Sequence, residues 1–317
     1  MVLVWPDGNE LPDGNADLLD VVLSHSGLAA AAEDFLGRSD VVKRSQRSLN
    51  VLQGESARVR LHGESACGHA RLFLGSEDAT TCVIAVLLDR EAGLAWAAHY
   101  DEGTCSDTGI LEALQSMRAP HAYLVGAFVD SRGTSARVAS ALLATLHHSW
   151  RGCVVLQLAC LGSVNTDPVT GQPRTRHLVV DCSTGTPAPA CFEDRGPELP
   201  RRSAYQACRR EASGLTPVWD TEACRLRLPA FDAAIPSWHA MYLERVARLT
   251  NVELLSQCST SPEAERPCFV EDVRAGHAWL LAAQEDASVP EAEYEWDYGG
   301  WRQVHVGESA PPVRPLA

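Results

Sequence analysis

Leu74-Gly75-Ser76-Glu77-Asp78-Ala79-Thr80-Thr81-Cys82 leads into the apolar run Val83 to Leu88, the turn Asp89-Arg90-Glu91-Ala92-Gly93 and a second apolar run, Leu94 to His99. Two aliphatic runs around a charged turn closed by glycine have the pattern of a strand–turn–strand hairpin. With the turn centred on Arg90-Glu91, Asp89 faces Ala92, Leu88 faces Gly93 and Cys82 faces His99. Residues opposed in this way have Cβ atoms about 4.5–5.5 Å apart, and a slip of one residue would send one side chain to the other face. The turn is not an Asn-Gly or Asp-Gly pair, so the register rests on where the turn is centred. A thiol beside an imidazole is a nucleophile beside its base, suited to attack on a carbonyl carbon. A small buried thiol opening a strand is the competing structural reading.

Outward from the hairpin, strands and helices alternate in both directions. Asn15 is placed to cap a helix through Ser24, and an Ala-rich helix follows from Gly27 to Leu36. Residues 50–62 alternate weakly as a strand, and Gly63 to Gly68 is a loop. Past the hairpin, a helix is expected over Thr108 to Met117 and a strand over His121 to Phe128. Thr134 to Trp150 is strongly periodic, and Cys153 to Cys160 is a near-continuous apolar strand buried on both faces. Short strands at His177 to Asp181 and Ala188 to Phe192 precede a helix near Ala204 to Glu211. Trp219 and Leu226 to Leu228 sit on short strands, Ser256 to Pro262 is a polar loop, and Glu263 to Ala283 is mostly helical despite Pro267. A hairpin across Gly299-Gly300 closes the chain. These elements predict a single domain of mixed α+β class, with sheets in a sandwich-like core, flanking helices, and the Cys82–His99 hairpin at its centre. Residues 1–14 are expected to be an irregular lead-in and residues 309–317 a disordered tail.

The 317 residues are 45% hydrophobic and 21% charged, ordinary for a folded chain. The net charge of −14, from 41 acidic and 27 basic residues, disfavours nucleic acid and anionic membrane as partners and suits a cationic substrate. Eleven cysteines include no C-x-x-C pair, and no H-E-x-x-H occurs, so neither a metal nor another cofactor is expected. Many unpaired thiols suit a reducing compartment. The start lacks a secretory signal, and no apolar run approaches the ~18 residues of a membrane span. A cytoplasmic monomer is expected, with the nucleus as a second compartment.

Sharper alternatives lack support. No G-x-S-x-G elbow and no G-x-x-x-x-G-K phosphate loop occur. The tandem His147-His148 reads as a solvated helix edge, and Trp296 and Trp301 as packing rather than a ligand platform. What remains is Cys82, His99 and Ser76, six residues ahead of the cysteine. The hydroxyl or the carbonyl of Ser76 would orient the imidazole so that its free nitrogen faces the thiol.

Gly75-Ser76-Glu77-Asp78-Ala79-Thr80-Thr81-Cys82 resembles the nucleophile motif of the protein N-terminal asparagine amidohydrolase family, amidases that convert an N-terminal Asn of a protein to Asp. Three further segments agree in order. Phe192-Glu193-Asp194-Arg195-Gly196-Pro197-Glu198 resembles the family's F-x-D-R-G-P-E segment. Ser259-Thr260-Ser261-Pro262, Ala264-Glu265, Phe269-Val270-Glu271 and Arg274 resemble its STSP-x-A-E…F-V-E…R block, and the terminal hairpin matches too. The resemblance covers residues 50 to 306. One departure is clear: the family's upstream Q-R-E is Gln53-Gly54-Glu55 here, which puts any role of that arginine in doubt. The spacing of Ser76, Cys82 and His99 is also similar, locally, to that of the bacterial chemotaxis-receptor glutamine deamidases.

The resemblance implies a hydrolase that releases ammonia through a Cys82 thioester, with His99 as base and Ser76 orienting it. The backbone N–H of Cys82 and one from the preceding loop would stabilise the oxyanion. A free α-ammonium on the substrate calls for a carboxylate, and Asp78, Glu55 and Glu265 are equal candidates. Thr81, Ser259 and Ser261 are expected to contact the substrate as well. The implied partner is a protein or peptide N-terminus bearing Asn, whose Asp product would feed the N-degron pathway through arginylation. A Cys–His deamidase of protein glutamine and a non-catalytic peptide-binding relative are the alternatives.

Overall fold

The structure is a computed structural model that describes residues 2–11, 17–61, 71–148, 152–208, 214–284 and 286–304. β1 (Val2–Val4), α1 (Leu18–Ser24) and α2 (Ser26–Leu36) come first, then β2 (Asp40–Val42), β3 (Arg47–Asn50) and β4 (Glu55–Arg60). β5 (Leu72–Ala79), β6 (Val83–Asp89) and β7 (Leu94–Tyr100) carry the stretch quoted above. α3 (Gly109–Gln115), β8 (His121–Phe128), α4 (Thr134–His148) and β9 (Cys153–Gly162) follow. β10 (Arg176–Asp181), β11 (Thr186–Ala188), β12 (Ala190–Phe192) and α5 (Leu199–Cys208) lead to β13 (Thr216–Pro217), β14 (Trp219–Asp220), β15 (Arg225–Leu228) and β16 (Phe231–Asp232). α6 (Ser237–Ala247), α7 (Asn251–Cys258) and α8 (Phe269–Ala283) precede β17 (Ser288–Val289), β18 (Ala292–Asp297) and β19 (Gly300–Val304).

The β6–β7 hairpin lies in the middle of a seven-stranded sheet of order β1-β9-β8-β6-β7-β4-β13. Strand alternation divides its side chains between two cores. Val83, Ala85, Leu87, Ala98 and Tyr100 pack with Leu114, Leu142 and Leu146 of α3 and α4. Ile84, Val86, Leu88, Ala95 and Ala97 pack with Leu49, Leu74, Leu178 and Val180 of a second sheet, order β11-β10-β5-β3. The result is a two-sheet sandwich with helices over the outer face of the larger sheet, and the mixed α+β class is as expected. β6 is covered on both faces, which is why its sequence reads as an unbroken apolar run.

Several expectations need correction. Val2–Val4, expected to be irregular, forms β1 and pairs in parallel with β9. The hairpin turn is longer than the assumed one: Asp89 pairs with Leu94, and Ile84, not Cys82, stands opposite His99. Asp89 is the cause. Its Oδ1 accepts from the N–H groups of Glu91 and Ala92, both at 2.9 Å, and Gly93 closes the loop at φ +64°. Despite burial, which pushes it up, the backbone donors of Ala92, Arg118, Ala119 and Glu91 hold this carboxyl below its ordinary range. Pro267 does break the expected long helix, into a 3-10 turn at Pro262–Ala264 and α8. His147 is buried rather than solvated, and its Nδ1 accepts from Leu3 N–H at 3.4 Å.

α6 and α7 were not anticipated. α6 exposes Trp238 and Met241 and buries Leu243 and Val246. α7 does carry a signal, the capping box Thr250–Glu253. The segments Gly63 to Gly68 and 309–317 lie outside the described residues. Among the described cysteines nine are free thiols, Cys82 included, while Cys224 is disulfide-bonded.

Candidate active site

Ser76 reaches the hairpin from the other sheet. It follows Gly75 on β5, where a Cβ would overlap the carbonyl oxygen of Leu178, so only glycine allows β5 and β10 to approach this closely. The Ser76 hydroxyl donates to the carbonyl of Val51 at 2.5 Å, and its oxygen lies 2.8 Å from His99 Nδ1. With the hydroxyl hydrogen committed to Val51, the oxygen can only accept, so Nδ1 carries the ring proton. Nε2 is then the basic nitrogen. It is buried and has no hydrogen-bond partner among the described residues. The hydroxyl of Ser76, not its carbonyl, therefore orients the imidazole.

Cys82 sits in the bend between β5 and β6, half-buried. The corrected register moves the hairpin pairing by two residues, which preserves the face. Cys82, one residue before β6, packs on the face turned to the second sheet, the face that alternation gives His99 as well. The bend is anchored by β8: Ala127 N–H donates to Cys82 O at 2.8 Å and Phe128 N–H to Thr80 O at 3.0 Å. Gly126 has φ +126°, and a Cβ there would overlap the Cys82 carbonyl. Fully buried Asn165 ties Gly126 O to Cys160 O and accepts from Arg176 Nε at 2.6 Å.

Cys82 and His99 line one cavity of about 720 Å³. Its wall carries six carboxylates (Glu77, Asp78, Asp101, Glu102, Glu265 and Asp272) against three guanidiniums, Arg195, Arg202 and Arg266. Burial pushes the Cys82 thiol up to about 12; the Asp101 charge adds to this and a hydrogen bond from Thr81 opposes it. Burial pulls His99 down to about 4, with Asp101 and Asp78 opposing and Arg195 assisting. At rest the cavity holds a neutral thiol and a neutral imidazole, with no hydrogen bond between them. Glu265 is also pushed up, first by burial and then by Asp78, against a hydrogen bond from Ser259 and the charge of Arg266.

The three carboxylates expected to read an α-ammonium differ in their surroundings. Glu55 lies outside the cavity lining and is fully engaged: Arg202 grips both its oxygens, and Leu52 N–H donates to Oε2 at 2.9 Å. Asp78 lines the cavity at φ +65° but is paired with Arg266. Glu265 lines it with Ser259 Oγ donating to Oε1 at 2.5 Å. Thr81 reaches the STSP block through Thr260, Oγ1 to Oγ1 at 3.1 Å. Ser261 is buried outside the lining, and its N–H donates to Ser259 Oγ at 2.9 Å. Where the family has arginine in Q-R-E, Gly54 turns the chain at φ +77° and its N–H donates to His99 O at 2.9 Å. Gln53 Nε2 donates to Asp101 Oδ2 at 2.7 Å.

Sequence reasoning missed Asp101, the main charge acting on both His99 and Cys82. Its signal was position: two residues past His99, it falls on the same strand face. It also missed Arg202, Arg266 and Asn165, which have no local pattern. Arg195 and Arg266 bridge Glu77, Asp78 and Asp272, joining the segment before Cys82 to α8.

The model of the family described as protein N-terminal asparagine amidohydrolase matches residues 38–302. Curated relatives agree. The chain is 29% identical to the protein N-terminal asparagine amidohydrolase of Homo sapiens over 269 residues, covering 81% of this chain and 82% of that one. It is 29% identical to the protein of that name from Arabidopsis thaliana over 245 residues, or 66% and 68% of the two chains.

Proposed function

Because the chain belongs to the protein N-terminal asparagine amidohydrolase family, we propose that it hydrolyses the side-chain carboxamide of an N-terminal Asn, giving Asp and ammonia. The observation that carries the reading is the unpartnered Nε2 of His99, bordering the same acidic cavity as Cys82. Nε2 takes the thiol proton as Sγ attacks the carboxamide carbon and the C=O electron pair moves onto oxygen. The imidazolium returns that proton to the amide nitrogen, the C–N bond breaks, ammonia leaves and a thioester remains. Water then gives a proton to Nε2 and attacks the thioester carbon. The C–S bond breaks, the thiol is regenerated and the Asp carboxyl is left. Since both groups are neutral at rest, the proton moves only once the carboxamide is in place.

Glu265 is the carboxylate best suited to the α-ammonium. Glu55 and Asp78 are hydrogen-bonded to guanidiniums, whereas Glu265, though it feels the Arg266 charge, is hydrogen-bonded only to the neutral Ser259 hydroxyl among the described residues. Anchoring the amine there sets the reach to Cys82 and sharpens discrimination against Gln, whose extra methylene alone is worth about 1–3 kcal/mol. The Asp product suits entry into the N-degron pathway through arginylation, and the free thiols suit a cytoplasmic or nuclear setting. A single domain acting as a monomer fits this chemistry.

Ammonia release from an Asn-initiated peptide tests the reading, with peptides carrying only internal Asn or Gln beside it. Turnover is expected for the first alone, and a loss of about 10⁴-fold or more is expected in Cys82→Ala. Turnover surviving that substitution would sink the nucleophile assignment, and turnover of internal Gln would move the substrate class.

A further inference from the structure

α6 presents large apolar side chains to solvent at the border of this cavity. Trp238 is 68% exposed, Met241 69% and Tyr242 43%. Their spacing places all three on one helix face, while Leu243 and Val246, further round the helix, are buried. His239 joins the rings: it stacks on Trp238 at 5.3 Å and 18°, and lies 6.3 Å from Tyr242. A contiguous face of this composition is unusual on a surface without an occupant. Tyr242 also lines the cavity that holds Cys82 and His99, so the face continues the site wall outward.

We propose that this face of α6 docks the substrate polypeptide beyond its second residue and selects apolar or aromatic side chains there. The inference rests on the function proposed above. A substrate modified at its first residue must lead the rest of its chain out of the cavity, and Tyr242 marks where the wall becomes open surface. The match in length is reasonable: Trp238 to Tyr242 spans about 6 Å of helix axis, roughly two residues of extended chain. Because the rings and the thioether lie outside the Cys82–His99 chemistry, the contact acts on affinity and not on the chemical step.

The test uses three substrates on the full chain: a dipeptide amide beginning with Asn, and two longer peptides with the same first two residues. One carries Leu and Phe at positions three to six, the other Ser and Gly. The apolar peptide is expected to show a KM about tenfold below that of the polar one. Trp238→Ser combined with Met241→Ser should remove that advantage and leave dipeptide turnover unchanged. Dissociation constants measured on Cys82→Ala protein should follow the same pattern without any turnover. Equal binding of the two long peptides, or an equal loss on the dipeptide amide, would overturn the docking assignment. Absence of ammonia from wild-type protein on every substrate would instead fail the reaction itself, while the dissociation constants still decide the docking face. Unchanged thermal unfolding of the double variant, expected for side chains this exposed, separates docking from folding.

Discussion

The β6–β7 hairpin and the α6–α7 segment border the same cavity and are held in opposite ways. Val83 to Leu88 are buried on both faces of a seven-stranded sheet, and the bend at Cys82 is hydrogen-bonded to β8. α6 buries Leu243 and Val246 and leaves Trp238, Met241 and Tyr242 in water. α7 buries Leu254 and leaves Val252 exposed. The difference separates two tasks. The proton transfer proposed for Cys82 and His99 needs groups held within a fraction of an ångström, and over-determined backbone suits that. The proposed docking wall, which would accept polypeptides of varied sequence, tolerates a lightly packed face.

The contrast predicts where substitutions act. His99→Ala should produce the largest loss after the nucleophile itself, about 10²–10⁴-fold in kcat with little change in KM; a KM effect alone would move His99 to the recognition side. Gly126→Ala should cost both stability and turnover, because the added methyl meets the Cys82 carbonyl and the residue is held at φ +126°. A loss of about 1–3 kcal/mol in denaturant unfolding is expected, against none for Trp238→Ser, and equal effects would erase the distinction between the two regions. Glu265→Gln should raise KM for Asn-initiated peptides about tenfold while sparing kcat, and an unchanged KM would remove Glu265 as the reader of the α-ammonium.

The smallest effect is the pH response. His99 titrates near 4 in the folded chain against an ordinary value of 6.5, so the acid limb of kcat/KM should fall well below pH 6. A limb at 6.5 would mean a water-exposed imidazole. The same shift works against folding in acid. Between pH 6.5 and 4 the unfolded chain binds a proton that the folded one refuses, so the His99 contribution is lost as pH falls through that window. Equilibrium unfolding in wild type and His99→Gln should converge at the acid end.

Legibility followed locality. That Cys82 and His99 share a face was readable because strand alternation fixes it, and an error of two residues in register leaves a face unchanged; Ser76, expected in a loop, stands on β5 of the other sheet. The turn length was not readable from residue types alone, since it depends on Asp89 collecting donors from its own turn and from Arg118 and Ala119.

The amino-acid sequence by itself determined the mixed strand and helix order, the buried hairpin and the thiol and imidazole it carries, because these depend on alternation and on neighbours a few residues apart. Only the tertiary structure decided how the three carboxylates are paired. Glu55, Asp78 and Glu265 are equal as residues; Arg202, 147 positions from Glu55, and Arg266, 188 from Asp78, make them different. It also decided the tautomer of His99, through a Val51 carbonyl 25 positions from Ser76. Charge pairing and hydrogen-bond direction depend on distance in space, and no local pattern in the chain records that.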